Sequence, residues 1–250
     1  MAARWRTAWI TGASTGIGHA LALALARRGV RVAASARSAE KLAALAALDT
    51  NITVFPLDVT RLADVAACHA HIVERFGIID LAVLNAGVWD PMGARDYGAE
   101  RAAASMAVNY TGIANVLEPL IPPMLARRGG HIALVASVAG YRGLPKAIAY
   151  APSKAAVISL AEVLHLELAR HGVTVSLINP GFVDTPMTAV NTFPMPAMLT
   201  TDDAVARILH GLERGKFEIA FPKRLVIPLK ILRVLPYGLY FRLVGRTARD

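Results

Sequence analysis

Residues 7–29, TAWITGASTGIGHALALALARRG, contain a short apolar run, a glycine-rich turn and a longer apolar run in immediate succession. The first run, TAWIT at 7–11, has the length and apolar content of a buried β-strand, and HALALALARRG is typical of a helix. Three glycines, Gly12, Gly16 and Gly18, stand between the two runs. The stretch therefore predicts a strand that passes through a tight turn directly into a helix.

The same alternation of short apolar runs and longer helical stretches continues along the chain. We expect strands at 7–11, 30–36, 52–57, 80–85, 131–137, 173–179 and 217–221. These runs are nearly continuous in apolar residues, which indicates strands that are covered on both faces of a sheet. The pattern predicts a single-domain Rossmann-type α/β fold, with a doubly wound parallel sheet of about seven strands and helices on both faces. A ligand site is then expected at the carboxyl ends of the strands.

Composition favours one large domain in a reducing compartment. The chain has 250 residues, of which 55% are hydrophobic, and this suits one α/β core better than two small ones. Cys68 is the only cysteine, so an internal disulfide is excluded. The start, MAARWRTAWITGAS, leads almost directly into the first strand, and we expect no signal peptide there. These features predict a cytoplasmic protein.

The positive charge is concentrated at the C-terminal end. The net charge is +9, from 27 basic and 18 acidic residues, and residues 216–250 contribute +6 of it, from eight basic and two acidic residues. No basic stripe interleaved with aromatics is visible, so we expect no nucleic-acid partner. His69 and His71 are two residues apart and would point in different directions from a helix. We therefore expect no metal site.

The glycine turn favours an anionic ligand. Glycine lets a backbone turn tightly and lets a diphosphate approach the N terminus of a helix, where free N–H groups and the helix dipole attract negative charge. The spacing is G-x-x-x-G-x-G. An ordinary strand-to-helix turn is the alternative, although three glycines in this position favour a dinucleotide.

Tyr150 and Lys154 are four residues apart at the start of a predicted helix, so their side chains share one face. A solvated surface pair is one interpretation. The other is a phenol whose pKa is lowered by a neighbouring ammonium group, as a general acid or base at neutral pH requires.

The ordered set of motifs resembles the short-chain dehydrogenase/reductase (SDR) family over about residues 5–221. The motifs are TGASTGIG at 11–18, Asn85-Ala86-Gly87 after the fourth strand, Asn109 in a long helix, Ser137 after the fifth strand, Tyr150 with Lys154, and Pro180-Gly181 after the sixth strand. Each motif is weak alone, but their order along the chain is specific.

The resemblance implies a catalytic set made of Asn109, Ser137, Tyr150 and Lys154. Tyr150 would exchange the proton, and Ser137 would orient the substrate oxygen. Lys154 would also hold the nicotinamide ribose. Asn109 would hold a water molecule through a local break in its helix and so relay protons to Lys154.

The resemblance and the charges also imply a cofactor site. An acid after the second strand would favour NAD(H), but this chain has Ala36 and then Arg37, whose guanidinium matches a 2′-phosphate. We therefore expect NADP(H) in preference to NAD(H), with a solvated arginine as the alternative. By resemblance, Asp58 and Val59 would contact the adenine and Thr185 the carboxamide. The expected cofactor-binding residues are Gly12, Ser14, Thr15, Gly16, Ile17, Gly18, Arg37, Asp58, Val59, Asn85, Ala86, Gly87, Tyr150, Lys154, Pro180, Gly181, Val183 and Thr185.

The remaining sequence divides into a lid and a tail. Within a catalytic region at 1–221, residues 186–200 contain three methionines, one phenylalanine and three prolines, and we expect an apolar substrate lid there. Residues 222–250 form a basic, apolar extension. Three interpretations stay open for it: packing on a partner subunit or over the substrate mouth, peripheral contact with an anionic membrane surface, or partial disorder.

The resulting hypothesis is an NADP(H)-dependent oxidoreductase that interconverts a carbonyl and an alcohol, with an apolar or lipid-like small molecule as substrate. By resemblance, the long helices near 102–128 and 152–170 would join subunits in a homodimer or homotetramer. The alternative is a dinucleotide-binding sensor or scaffold without catalysis.

Overall fold

A computed structural model describes residues 4–245 of the chain, and within that range seven parallel strands form one sheet. The spatial order of the strands is β3-β2-β1-β4-β5-β6-β7. Their bounds are β1 Thr7–Thr11, β2 Arg31–Ser35, β3 Ile52–Val54, β4 Leu81–Leu84, β5 Gly130–Val135, β6 Val173–Pro180 and β7 Glu218–Phe221. The predicted doubly wound α/β fold is confirmed.

Helices cover both faces of this sheet. One core contains residues of α3, α5 and α6, and the other contains residues of α1, α2 and α7. Trp9 of β1 points into the first core, whereas its neighbours Ala8 and Ile10 point into the second. This alternation explains why the strands are apolar at every position. The helices named here are α1 Gly16–Ala26, α2 Ala39–Ala46, α3 Leu62–Phe76, α4 Ala99–Met106, α5 Gly112–Ala126, α6 Tyr150–Ala169 and α7 Thr201–Glu213.

The strand order reverses between β1 and β4, and this reversal opens a crevice at their carboxyl ends. The connection after β1 leads outward to β2, whereas β4 pairs with the opposite side of β1. Thr11 links the carboxyl ends of β1 and β4, because its hydroxyl oxygen accepts hydrogen bonds from the backbone N–H groups of Asn85 and Ala86, at 3.0 and 3.1 Å. A doubly wound sheet binds its ligand at such a point.

The C-terminal extension is helical where the structure describes it. It forms α8 (Lys223–Val234) and α9 (Tyr237–Val244), and residues 246–250 lie outside the described range. Arg142 fastens these helices to the body of the chain, since its guanidinium donates to the carbonyls of Leu232 and Leu235, both at 2.7 Å. Within 4–245, none of the helices has the length and apolar character needed to cross a bilayer.

Candidate active site

A cavity of about 400 Å³ lies at the carboxyl ends of the strands and collects most of the residues predicted for the site. Of the predicted set, Gly18 and Asn109 do not line it. The predicted residues that do are Gly12, Ser14, Thr15, Gly16, Ile17, Arg37, Asp58, Val59, Asn85, Ala86, Gly87, Ser137, Tyr150, Lys154, Pro180, Gly181, Val183 and Thr185.

The glycine turn is packed too tightly for any side chain at two of its positions. Gly12 has φ +68°, and a Cβ atom there would stand 2.8 Å from the Cα of Ala86. A Cβ atom at Gly18 would overlap the carbonyl oxygen of Gly12 and approach the Asn85 amide nitrogen to 2.5 Å. The turn therefore brings bare backbone to the cavity wall at the start of α1.

Asn85 locks this turn in place. Its side-chain amide donates to the carbonyls of Thr11 and Gly12, both at 3.1 Å. Among the described residues, no side chain caps the N-terminal end of α1 at Thr15. The first N–H groups of that helix, which have no partner within the helix itself, are free for an anion.

Two cations and a capping serine line the end of the cavity beside β2. Arg37, Ser38 and Lys41 all contribute to its wall. The Ser38 hydroxyl accepts from the backbone N–H of Lys41 at 3.3 Å and so caps α2. Asp58 lines the same cavity, and hydrogen bonds from the Thr60 backbone and hydroxyl, together with the Arg37 charge, hold its pKa below the usual value. Sequence reasoning identified Arg37 but missed Ser38 and Lys41.

Lys154 is the buried cation at the other end of the cavity. It is only 3% exposed, and its Nζ donates to the carbonyl of Val135 at 3.0 Å. A Cβ atom at Gly87 would stand 3.3 Å from this nitrogen and 3.1 Å from Asn109 Oδ1. Glycine at position 87 therefore lets the Lys154 and Asn109 side chains both lie close to the backbone that follows β4.

Asn109 lies where its helix widens into a π-helical turn, Ala107–Thr111, between α4 and α5. It is fully buried, and its side chain pairs with Val88 in both directions: Val88 N–H donates to Oδ1 at 2.8 Å, and Nδ2 donates to the Val88 carbonyl at 3.0 Å. Nδ2 also reaches Ser153 Oγ at 2.9 Å. A π-helical turn breaks the regular backbone hydrogen-bond ladder, and such turns are frequent at functional sites.

Tyr150 and Ser137 meet beside Lys154. Ser137 follows β5, and its Oγ accepts from the Ala139 N–H at 3.1 Å in a short 3₁₀ turn. Tyr150 opens α6, and Lys154 Nζ lies 5.7 Å from the centre of the tyrosine ring. The predicted pair therefore does share one helix face at the cavity.

The pKa shifts in the protein alone differ from the simple expectation of an acidified phenol. Burial raises the pKa of Tyr150 to about 12, and a hydrogen bond from Ser137 acts in the opposite direction. Burial lowers the pKa of Lys154 to about 8. Sequence spacing showed that the two groups are neighbours, but it gave no measure of the loss of water around both of them.

Trp89 is a residue of the site that sequence reasoning missed. Its ring meets the ring of Tyr150 edge-on, with centroids 4.9 Å apart and planes at 77°. Its indole nitrogen donates to Asn191 Oδ1 at 2.7 Å, so Trp89 joins the tyrosine to the segment expected as a lid. The one available signal was its position two residues after Asn85-Ala86-Gly87.

The segment after β6 folds back over the cavity. Thr188 Oγ donates to the Val183 carbonyl at 2.6 Å and accepts from the Thr185 N–H at 3.1 Å, which holds the turn together. Met187 lines the cavity from this turn and is partly exposed. The expected apolar lid at 186–200 thus begins at the cavity wall.

The residues present fit a nicotinamide dinucleotide. The bare backbone at Gly12 leaves room for a diphosphate at the start of α1, and cations stand at both ends of the cavity, at Arg37 and Lys154. Among residues 4–245, no group of three or more His, Cys, Asp or Glu side chains is placed to hold a metal ion.

Comparison with known sequences matches residues 6–193 to the family described as short chain dehydrogenase. A relative from Myxococcus xanthus, described as an uncharacterized oxidoreductase, is 42% identical over 241 residues, which are 94% of this chain and 95% of the relative.

Comparison with solved structures finds the same architecture with bound cofactors. A short chain dehydrogenase from Burkholderia cenocepacia in complex with NADP is 30% identical, with a TM-score of 0.83 over 96% of this chain and 98% of the other. A short-chain dehydrogenase from Sphingobium yanoikuyae in complex with NADPH is 27% identical, with a TM-score of 0.79 over 96% and 93%.

Proposed function

This chain belongs to the short-chain dehydrogenase family of oxidoreductases, and we propose that it interconverts a carbonyl and an alcohol with NADP(H) as its cofactor. The observation that carries the proposal is the meeting of Ser137, Tyr150 and Lys154 in the same cavity as the glycine turn. A hydroxyl, a phenol and a buried ammonium group beside a dinucleotide cradle can position an oxygen and move a proton to it.

A bound nicotinamide supplies the hydride, and the side chains of this chain manage the oxygen and its proton. Ser137 donates a hydrogen bond to the substrate oxygen and fixes its direction toward Tyr150. Tyr150 gives its phenolic proton to that oxygen as negative charge develops on it. Lys154 stabilises the phenolate that is left, since an ammonium group favours the ionised form of a neighbouring phenol.

Burial has a useful consequence for this proton transfer. A pKa of about 8 for Lys154 leaves the lysine mostly charged at neutral pH but able to exchange its proton.

The Asn109 side chain is fully engaged with Val88 and Ser153, so it anchors the π-helical turn to the segment that follows β4. We assign the proton relay to a water molecule at the backbone of that turn, next to Lys154.

Arg37 and Lys41 support a preference for NADP(H). Both are exposed cations on the cavity wall next to the N-terminal end of α2, and a 2′-phosphate at this wall would be held by charge-assisted hydrogen bonds. Asp58 lines the same cavity, and its Oδ1 accepts hydrogen bonds from the Thr60 N–H and hydroxyl.

An apolar substrate is supported by the wall that surrounds the tyrosine. Trp89 packs against Tyr150, Met187 lines the cavity, and residues 186–200 add Val190 and Met198 as exposed apolar side chains. These side chains offer contact area but few fixed hydrogen bonds, which favours a hydrophobic or lipid-like carbonyl compound.

A dinucleotide-binding sensor is the second candidate. It would use the same cradle at Gly12 without turnover. The meeting of Ser137 and Tyr150 beside Lys154 argues against it, because binding a dinucleotide does not require a hydroxyl and a phenol placed to position an oxygen and move a proton.

We propose further that the long helices join copies of this chain. Exposed Val163 and Leu166 on α6, the latter 75% exposed, support a homodimer or homotetramer through the long helices. We place catalysis in residues 1–221 and treat 222–250 as an extension. The single cysteine is consistent with a cytoplasmic location, and the extension exposes apolar and basic side chains that bear on contact with a membrane surface.

The experiment is a turnover screen with NADPH and a panel of ketones and aldehydes of increasing chain length, followed through the loss of nicotinamide absorbance. We expect turnover that rises with apolar chain length and is abolished in Tyr150→Phe. If wild type and Tyr150→Phe bind NADPH equally and neither consumes it with any carbonyl, the sensor is the better account.

A further inference from the structure

The two C-terminal helices carry large exposed apolar side chains, and the set Ile227, Ile231, Val234, Tyr237 and Phe241 is called the tail face here. Ile227, Ile231 and Val234 are spaced by four and three residues, so they share one side of α8. Val234 is 78% exposed and Tyr237 is 71% exposed. The rings of Tyr237 and Phe241 stack, with centroids 5.6 Å apart. Soluble surfaces rarely leave this many large apolar side chains open to water along one short segment.

Positive charge accompanies the tail face, and negative charge is missing from its segment. Between 222 and 245 the sequence has five basic residues and no acidic one. Lys230 and Arg233 pair with Glu218 and Glu162 of the body. The other three basic residues form no ion pair with any described residue: Lys223, Arg224 and Arg242.

The tail face is a fixed part of the fold. The Arg142 guanidinium lies over the rings of Tyr240 and Tyr237, 3.9 and 4.9 Å from their centres, and donates to the Leu235 carbonyl at 2.7 Å. The Tyr240 hydroxyl donates to the carbonyl of Gly143. These contacts fix α8 and α9 to the loop that connects Ser137 with Tyr150, so the segment is presented in one orientation relative to the active site.

We propose that the tail face docks this protein on the surface of a membrane that contains anionic lipids. Apolar side chains of this size enter the boundary between headgroups and acyl chains, while unpaired lysines and arginines attract anionic headgroups. A second copy of the chain is the less suitable occupant. A twofold contact would bring Arg224 and Arg242 of both copies together, with no acid at 222–245 to pair them.

Membrane docking does not depend on catalytic activity, but it would affect how the active site is presented. Because Arg142 and Gly143 tie the docked helices to the loop between Ser137 and Tyr150, docking would hold that loop in one orientation relative to the bilayer.

The test is vesicle co-sedimentation of the full chain, with phosphatidylcholine vesicles compared with vesicles that also contain phosphatidylserine. We expect binding to the anionic vesicles, little binding to the neutral ones, and loss of binding in high salt. Arg224→Glu changes the charge by two units and should lower the partition coefficient roughly thirtyfold, since each unit of charge near an anionic surface contributes about fivefold. Ile231→Ser and Phe241→Ser should lower it about fivefold or more.

Each variant has a matched control with similar exposure outside the tail. Leu48→Ser is the control for Ile231→Ser, Tyr97→Ser for Phe241→Ser, and Arg207→Glu for Arg224→Glu. The controls should bind vesicles as wild type does, and all variants should bind NADPH and melt as wild type does. Equal binding to both vesicle types overturns the proposal, as does equal loss in the controls. Dissociation of a dimer by the tail variants in sedimentation velocity would assign the tail face to a second copy instead.

Discussion

Replacement of Arg37 and Lys41 by alanine tests how the cavity recognises the adenosine end of its cofactor. Both cations line the wall beside Ser38, and both side chains are exposed to solvent. A hydrogen bond to a charged group contributes about 1.5–3 kcal/mol when it is buried, and solvent screening favours the lower end here. We therefore expect each single variant to weaken NADPH binding by about tenfold.

The double variant Arg37→Ala/Lys41→Ala should weaken NADPH binding by roughly a hundredfold, provided that the two contributions add. The dissociation constant for NADH, which lacks the phosphate, should change less than about twofold. Fluorescence titration of both nucleotides, at low and high salt, measures this. Salt should weaken NADPH binding in wild type more steeply than in the double variant.

Arg207→Ala is the matched control, because Arg207 is an exposed arginine on α7 that does not line the cavity. It should leave both dissociation constants unchanged. If Arg37→Ala weakens the binding of NADPH and NADH equally, Arg37 does not recognise the 2′-phosphate and acts only through its general positive charge.

Three further predictions concern the turn, the pH dependence of stability and the lid. Gly12→Ala should abolish NADPH binding and lower the free energy of unfolding by more than the roughly 1–3 kcal/mol of backbone strain, because its Cβ would stand 2.8 Å from Ala86 Cα; Gly29→Ala has the same strain with open space around it and should bind NADPH normally. Burial lowers the pKa of His131 to about 4, so the unfolded chain binds this proton first as pH falls below about 6.5. The free energy of unfolding should then fall by up to roughly 3 kcal/mol between pH 6.5 and 4. In His131→Phe the free energy of unfolding, measured with urea at each pH, should fall less steeply over the same range. Trp89→Phe keeps a ring beside Tyr150 but loses the bond to Asn191, so KM for an apolar carbonyl should rise about fivefold with the Kd for NADPH unchanged.

Each of these expectations has an outcome that would contradict it. Equal loss of NADPH binding in Gly29→Ala would point to strain in general instead of the contact with Ala86. If the free energy of unfolding of His131→Phe falls with pH as steeply as that of wild type, other groups govern acid unfolding. A lower kcat with unchanged KM in Trp89→Phe would place the tryptophan in the proton transfer and not in the lid.

The fold and the centre of the site could be predicted because their signals are local. Continuous apolar strands define a covered sheet, and the glycine turn and the four-residue spacing of Tyr150 and Lys154 are each contained in one short segment. The strand-end position of Asn85 followed from the parallel topology. These features depend on neighbours along the chain, which the sequence displays directly.

The remaining features depend on contacts between distant segments. Trp89 meets Asn191 across about a hundred residues of sequence, and Arg142 meets Leu235 across more than ninety. A lone tryptophan or arginine has no period that reveals such a partner. The upward shift in the pKa of Tyr150 has the same origin, because burial is set by packing and not by the spacing to Lys154.

Whether Tyr150 delivers the proton is tested by a single-turnover experiment with NADPH deuterated at the transferable position of the nicotinamide and a carbonyl compound that the screen finds to be a substrate. We expect one deuterium on the carbinol carbon with wild type, and no labelled alcohol with Tyr150→Phe while its Kd for NADPH stays unchanged. Labelled alcohol formed at the wild-type rate by Tyr150→Phe would contradict the claim that this phenol, beside Lys154, delivers the proton.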